Sequence, residues 1–535
     1  MASEGFQGAF RQSMAWLHTW SGLVLSLLLY FIFITGSFGY FNLEVDQWMQ
    51  PEQPNAQAPE DPVALSQLAL SYLEREVPEG TRYFIDLPGA RDGGAVRVYA
   101  DLPEPGSDGE SYLNRYLDPA TGAPVTARET GGGDALYAMH YALHYMPYEV
   151  AIYIVGVGTL FMFLALITGI VTHKKIFADF FTLRLRKGQR SWLDGHNVSS
   201  VLALPFMLMI TYSGLVFYTF EYSPGVMLTT MGIDKPAQQE MYTHLYPGYG
   251  ESEAADESAT MVAIAQPLAD AQRRWPGAAF RYVELEHPGD TNAVYWIGRE
   301  AQGLERGGDA LRYSAATGEF LGESGSMPAD SAFSSGLLAI HEGHFASYLL
   351  RWLFFLSGLL GAAMVATGLL LWARKRRTQL RGAPAPRSLR FVERGNLGII
   401  VGLPLGVAAY FWANRLLPLG MEDRAAWEMH CLFLTWGLSF AHAGARELRR
   451  AWREQIALLA ALFLLLPLLN AATTHVHLAN TLLAGDWVRA GFDLTALAFG
   501  LALCYVWRKL TPPAPRQRDT EPRPLARIAA GNAGA

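Results

Sequence analysis

Eight apolar stretches constrain this chain more than anything else in it. They run approximately over residues 16–40, 150–171, 198–219, 349–372, 397–412, 427–443, 456–472 and 492–507. The hydrocarbon core of a bilayer takes roughly 20 residues of helix, because no water is present there to satisfy an open backbone. The stretches therefore predict an α-helical membrane protein with about eight transmembrane helices, of which the fifth and sixth are the shortest. The first is too long for the apolar part of a cleavable signal and has little basic charge before it, so it reads as an anchor. Charged residues make up 17% of the 535, against about 25% in soluble chains, which agrees.

Lys and Arg in short loops mark the cytoplasmic side. Lys174, Lys175, Arg184, Arg186, Lys187 and Arg190 crowd one such loop, 374–394 is richer still, and 446–453 repeats the bias. Both termini are then expected in the cytoplasm of a bacterial cell, and the long segments 45–138 and 221–338 in the periplasm. The intended organisation is helix 1 at 10–44, a first outside module at 45–138, helices 2 and 3 at 139–220, a second module at 221–338, helix 4 at 339–376, a linker at 377–395, four further helices at 396–510 and a disordered Pro- and Arg-rich tail at 511–535. Each module alternates like a small α+β unit and carries no nucleophile motif or defensible carboxylate pair, so no catalytic residue is assigned.

A net charge of −7 without a basic face excludes nucleic acid as a partner. The two cysteines, Cys431 and Cys504, lie inside apolar runs and form no iron-sulfur, zinc or covalent-haem spacing. Any redox or metal chemistry must use other ligands.

The first 375 or so residues read as two copies of one unit. His18 is followed 17 and 18 residues later by Thr35 and Gly36, and His196 at the same spacings by Ser213 and Gly214. His140 and His144 precede a helix containing Thr168-Gly169; His341 and His344 precede one containing Thr367-Gly368. Outside the membrane, Arg115-Tyr116-Leu117-Asp118-Pro119-Ala120-Thr121-Gly122 parallels Arg312-Tyr313-Ser314-Ala315-Ala316-Thr317-Gly318.

The repeat sorts seven of the thirteen histidines into two layers. His18, His173 and His196 fall at the cytoplasmic helix ends, and His140, His144, His341 and His344 at the outer ends. Paired imidazoles on facing helices suit axial ligation of b-type haem, with Gly22, Gly36, Gly169 and Gly368 permitting close approach of a flat macrocycle. Two haems are expected. His144 and His344, equivalent in the repeat, are expected to hold the outer one, and His18 with His196, or a pair that includes His173, the inner one. Trp372 stands where the second copy would carry its His173. The i, i+4 spacing of His140 and His144 also suits a bare metal ion. His341-Glu342-Gly343-His344 is one residue short of a zinc-protease motif, which makes proteolysis a poor reading. His430, His442, His475 and His477 leave room for a third cofactor or a quinone site.

With these residues in view the chain resembles the PepSY-associated transmembrane helix family of iron-regulated inner-membrane proteins. The likeness is carried by Leu17-His18-Thr19-Trp20-Ser21-Gly22-Leu23, by His173-Lys174-Lys175-Ile176-Phe177-Ala178-Asp179-Phe180-Phe181, by Ser191-Trp192-Leu193-Asp194-Gly195-His196-Asn197 and by His341 to His344, in that order over about residues 10 to 376. The outside modules look like PepSY domains, the second departing from the pattern at Ser314-Ala315-Ala316. The resemblance implies a reductase that passes electrons to ferric siderophores or other ferric chelates in the periplasm. No nucleotide loop or flavin domain is present, so the donor is expected to be another protein, for which the basic loop offers a docking face, or a quinol. The alternative is a non-redox, metal-binding transporter or a PepSY-type regulatory membrane protein.

Overall fold

The computed structural model describes residues 2–510 except 55–60, 90, 92–93, 103–110, 174–183, 185–187, 219–221, 223–235, 237–252, 302, 305–308 and 325–328. Lys174, Lys175, Arg186, Lys187 and the tail at 511–535 lie outside the described residues.

Helix α1 (Ala2–Val24) meets α2 (Ser26–Phe38) at Leu25, and α3 (Asn42–Met49) follows. In the first break the hydroxyls of Ser21 and Ser26 bond back to the carbonyls of Leu17 and Leu23, both at 2.8 Å, which competes with the helix ladder. Further along, α7 (Gln189–Leu202) and α8 (Leu204–Val216) meet at Ala203, where Pro205 removes a backbone donor and the pair bends by 64°. Leu25 lies seven residues past His18 and Ala203 seven past His196. Both adopt φ −94° and ψ 2°.

Two short helices, α5 (Gly132–Ala142) and α10 (Ala329–Glu342), lead into the long α6 (Tyr148–Thr172) and α11 (Tyr348–Gln379). Helix α1 packs on α6, α2 and α7 on α11, and α8 on α6 and α10. The last part of the chain forms α12 (Arg387–Leu397), a π-helical turn (Gly398–Gly402), α13 (Leu403–Leu416), α14 (Arg424–Ala445), α15 (Leu448–Thr473), α16 (Leu478–Ala484) and α17 (Trp487–Leu510). A π turn frees backbone carbonyls. Here Trp436 Nε1 donates to Gly398 O and Tyr30 Oη to Ile400 O, each at 2.9 Å. One lock comes from α14 and the other from α2, so the turn ties the C-terminal helices to the first four.

Among the described residues six helical segments are long and apolar enough to cross a membrane, or seven if the bent α7–α8 pair is one span. The first span runs over Ser26–Met49, later than the 16–40 read from hydropathy. The stretch at 427–443 does form a helix, α14, whose first turns carry Arg424 and Glu428, both fully buried; it is not among those spans. Without α14 the expected eight become seven, and six if the bent α7–α8 pair is not counted as one span.

The soluble part departs further from expectation. Helix α4 (Pro62–Glu76), capped by the Asp61 side chain on Val63 N, precedes β1 (Arg82–Asp86), β2 (Val96–Asp101) and β3 (Tyr112–Leu117); α9 (Ala265–Arg274) precedes β4 (Phe280–Glu286), β5 (Val294–Arg299), β6 (Ala310–Ser314) and β7 (Phe320–Glu323). Instead of two separate modules, all seven strands form one antiparallel sheet in the order β3-β2-β1-β4-β5-β6-β7. Strands β1 and β4 pair in register, Arg82 opposite Glu286, Phe84 opposite Glu284 and Asp86 opposite Tyr282, with Phe84 and Tyr282 stacked at 5.2 Å. Left apart, each half would expose an unpaired edge strand, and joining them removes both edges. One core results, with Leu73, Ile85 and Val98 packed in the same cluster as Leu268, Val283 and Ile297. Ile85→Ala at this seam is expected to cost about 2–5 kcal/mol and to speed amide hydrogen exchange in β1 and β4 alike. Unchanged exchange across 280–286 would mean that the halves open independently.

Candidate functional site

Two cavities lie in succession along the helices, sharing Leu29 and Met162 as common wall. One, of about 300 Å3, is on the sheet side; the other, of about 440 Å3, is toward the far end of α6 and α11. Both volumes fall in the range of cofactor pockets, roughly 300–1,000 Å3.

In the far-side cavity the rings of His18 on α1 and His196 on α7 face one another with centres 6.2 Å apart and planes inclined by 68°. His18 Nδ1 bonds to the carbonyl of Ala165 and His196 Nδ1 to that of Met364, each at 2.9 Å. A carbonyl only accepts, so Nδ1 carries the proton in both rings and the Nε2 lone pair is left for a ligand-accepting atom. Each ring also rests on a glycine. A Cβ on Gly169 would come within 3.3 Å of His18, and one on Gly368 within 3.3 Å of His196. His173, at the end of α6, lines the same cavity and holds Asn197 Nδ2 at 3.1 Å through its Nε2.

The sheet-side cavity repeats the arrangement with His140 on α5 and His341 on α10, whose ring centres are 6.4 Å apart and planes inclined by 22°. His140 Nδ1 donates to Tyr137 O at 2.6 Å. His341 Nδ1 meets Ser213 Oγ at 2.8 Å. That hydroxyl already donates to Met209 O at 2.7 Å, so the imidazole is the donor. Gly36 lies against His140 and Gly214 against His341, with would-be Cβ distances of 3.5 and 3.3 Å. The glycines thus make room for the imidazoles rather than for a bound ring; Gly22 meets nothing within 4 Å.

The outer pair expected from the sequence, His144 with His344, is not the pair the fold brings together. Helix α5 ends at Ala142 and Leu143 takes φ 48°, so His144 leaves the helix that carries His140. It stacks instead on Phe433 of α14 at 5.5 Å, outside both cavities. Gly343, at φ 70°, ends α10 in the same way. His344 stands at the cavity rim, its side chain 58% exposed and 3.8 Å from the Glu342 carboxylate. The separation of His140 from His144 also removes the i, i+4 metal pair.

Among the described residues His430 lies next to Tyr145, the neighbour of His144, away from both cavities. Tyr145 hydrogen-bonds to His430 and stacks on it, a contact with no forewarning in the sequence. His442 bonds to Glu454 at 2.9 Å on the helix end opposite His430. Arg184, considered as a docking cation, is engaged with Asp194 at 2.9 Å. Among the described residues no group of three or more His, Cys, Asp or Glu side chains is placed to hold a bare metal ion. One facing pair of imidazoles in each cavity suffices only for a metal that brings its other ligands with it.

Apolar spans, a sheet domain at one end of the bundle and two partly buried imidazole pairs in succession define a multi-pass membrane protein with paired histidines between its helices. Residues 15–375, which contain the sheet domain and both imidazole pairs, match the family model of the PepSY-associated TM region, and the chain belongs to that family. No curated protein matches it. The helices beyond residue 375 lie outside the family match.

Proposed function

We propose that the chain is two copies of one helix–module–helix unit that together hold two b-type haems, and that it carries electrons from the cytoplasmic face to ferric chelates such as siderophores in the periplasm. The observation that carries this reading is the spacing of the imidazoles. A metal ion takes each ring nitrogen at about 2 Å, and that nitrogen lies about 1 Å from the ring centre, so two axial imidazoles put their ring centres about 6 Å apart. The pairs stand at 6.2 and 6.4 Å.

His18 and His196 would hold the inner haem, and His140 and His341 the outer one. When bound, each haem supplies a one-electron Fe(III)/Fe(II) couple. The chain's own groups do the rest. The carbonyls of Ala165, Met364 and Tyr137 and the hydroxyl of Ser213 fix the ring orientation and raise ligand basicity. Leu29 and Met162, common to both cavities, keep water from the space between them. His344, exposed at the rim, faces the side on which a chelate would arrive. One electron leaving there converts one Fe(III) of the chelate to Fe(II), a weaker partner for hard oxygen donors, and the iron is released. With no nucleotide site in the sequence, a quinol or a partner protein supplies the electron at the inner face.

The test is to reduce the purified protein with dithionite, remove the excess and add a ferric siderophore beside a ferrous-specific chelator. Reoxidation of the protein with matching ferrous capture, one iron per electron, is expected. Reoxidation by oxygen but not by any ferric chelate would leave an electron carrier with a different acceptor. Gly214→Val is expected to lower outer-haem content, because the added methyls meet His341 where a Cβ alone already reaches 3.3 Å; unchanged content would remove the glycine from this role.

A further inference from the structure

The two imidazoles of the far-side cavity are supported alike, but its rim is not symmetric. On one side stands His173 and on the other Trp372, five residues past Thr168 and Thr367 respectively. Trp372, Lys375 and Arg376 all line the cavity. They follow Gly368, which supports His196, at four, seven and eight residues. At 3.6 residues per turn they continue the same face of α11, and Arg376 lies about 12 Å of rise beyond Gly368.

Basic residues at this helix end would be placed there by membrane topology alone. Topology does not account for three further features. Trp372 Nε1 is buried and, among the described residues, donates to nothing. Among the described residues Lys375 and Arg376 face no carboxylate, whereas the adjacent Arg377 pairs with Glu393 at 2.6 Å. Arg376 lies 5.4 Å over the Trp372 ring, which holds its guanidinium at the cavity mouth. Among the described residues the sheet-side cavity offers no such cluster, being lined by no Lys or Arg and by Glu342.

We propose that Lys375, Arg376 and the indole N–H of Trp372 form an anion subsite that takes the carboxylates at one edge of the inner haem and turns that edge toward the cytoplasm. This rests on the haem reading above. The near-symmetric imidazole pair holds the metal, and the asymmetric rim decides which way round a macrocycle with both carboxylates on one edge will sit. Charge-assisted bonds from Lys, Arg and an indole suit a carboxylate. A phospholipid headgroup is the other anion within reach of this depth.

The test uses the full chain carrying His341→Ala, so that only the inner site is loaded, with haemin or haemin dimethyl ester as the probe. Loss of each to apomyoglobin is followed by its absorption band. The unmodified rim is expected to retain haemin roughly tenfold longer than the ester. Lys375→Gln with Arg376→Gln should abolish that difference by shortening haemin retention only, and Trp372→Phe should narrow it. Since the ester's retention serves as the internal control, a variant that simply misfolds is recognised by losing both. Equal retention of haemin and ester at the unmodified rim overturns the inference while leaving the haem reading standing, as does loss of bound anionic phospholipid in the double variant with haemin retention unchanged. Binding of neither probe overturns the haem reading itself.

Discussion

Replacing His341 with alanine is expected to leave one haem per chain where the unmodified protein holds two, while His144→Ala leaves both in place. The two histidines lie at the same end of the bundle, and both belong to the repeat. What separates them is the backbone. His341 sits on the last turn of α10, anchored by Ser213 and supported by Gly214, with His140 across the cavity. His144 lies beyond the end of its helix and rests on Phe433. His140→Ala should match His341→Ala, since a single remaining imidazole leaves the metal with one axial partner. Haem extraction and pyridine derivatisation of the purified variants give the count. A His144→Ala protein with one haem would restore the pairing suggested by the sequence and contradict the geometry.

A second large effect is expected far from either cavity. Arg424 and Glu428, one turn apart on α14, are both fully buried and bonded at 2.6 Å. Arg424 also donates to Glu129 O at 2.6 Å, and Glu428 accepts from Thr130 Oγ1 at 2.6 Å and from Asn414 Nδ2 at 2.8 Å. The segment at 128–131, which connects the sheet to α5, is therefore clamped by the C-terminal helices. Arg424→Ala strands the Glu428 carboxylate without its cation, a situation that costs about 3–5 kcal/mol. Thermal unfolding of the detergent-solubilised protein should register this as a drop of several degrees, most of it recovered when Glu428→Gln removes the orphaned charge. An unchanged transition in Arg424→Ala would mean that the clamp contributes nothing to holding the sheet domain on the bundle. The same clamp gives the last helices, which lie outside the family match, a structural role.

Much of the layout could be read from the chain because it follows local rules. The helical spans follow from run length, but the breaks at Leu25 and Ala203 interrupt stretches read as single helices, and only their equal distance from His18 and His196 echoes the matched spacings. The grouping of His18, His196 and His173 in one layer follows from helix rise. What the sequence concealed was non-local or turned on a single backbone angle. The pairing of β1 with β4 joins residues about 200 positions apart, and nothing in either strand's alternation says which other strand will cover its edge. The choice between His140 and His144 depends on where α5 stops. Gly343 was a legible stop signal on the equivalent α10, since glycine favours the left-handed cap. Leu143 gives no such signal, because a leucine rarely takes a positive φ. The stretch at 427–443 forms the helix α14 that its apolar run suggests, and the buried Arg424 and Glu428 in its first turns gain their meaning only from the distant 128–131 segment they hold.

The central claim is that this bundle holds two haems, each between two imidazoles. The measurement that bears on it most directly is the absorption spectrum of the detergent-purified protein, oxidised and then dithionite-reduced, with a haem count per chain. A b-type spectrum with two haems per chain, both low-spin in both states as two nitrogen ligands require, is the expected result. A colourless protein, produced under ample haem supply, would contradict it and assign the imidazole pairs to another occupant.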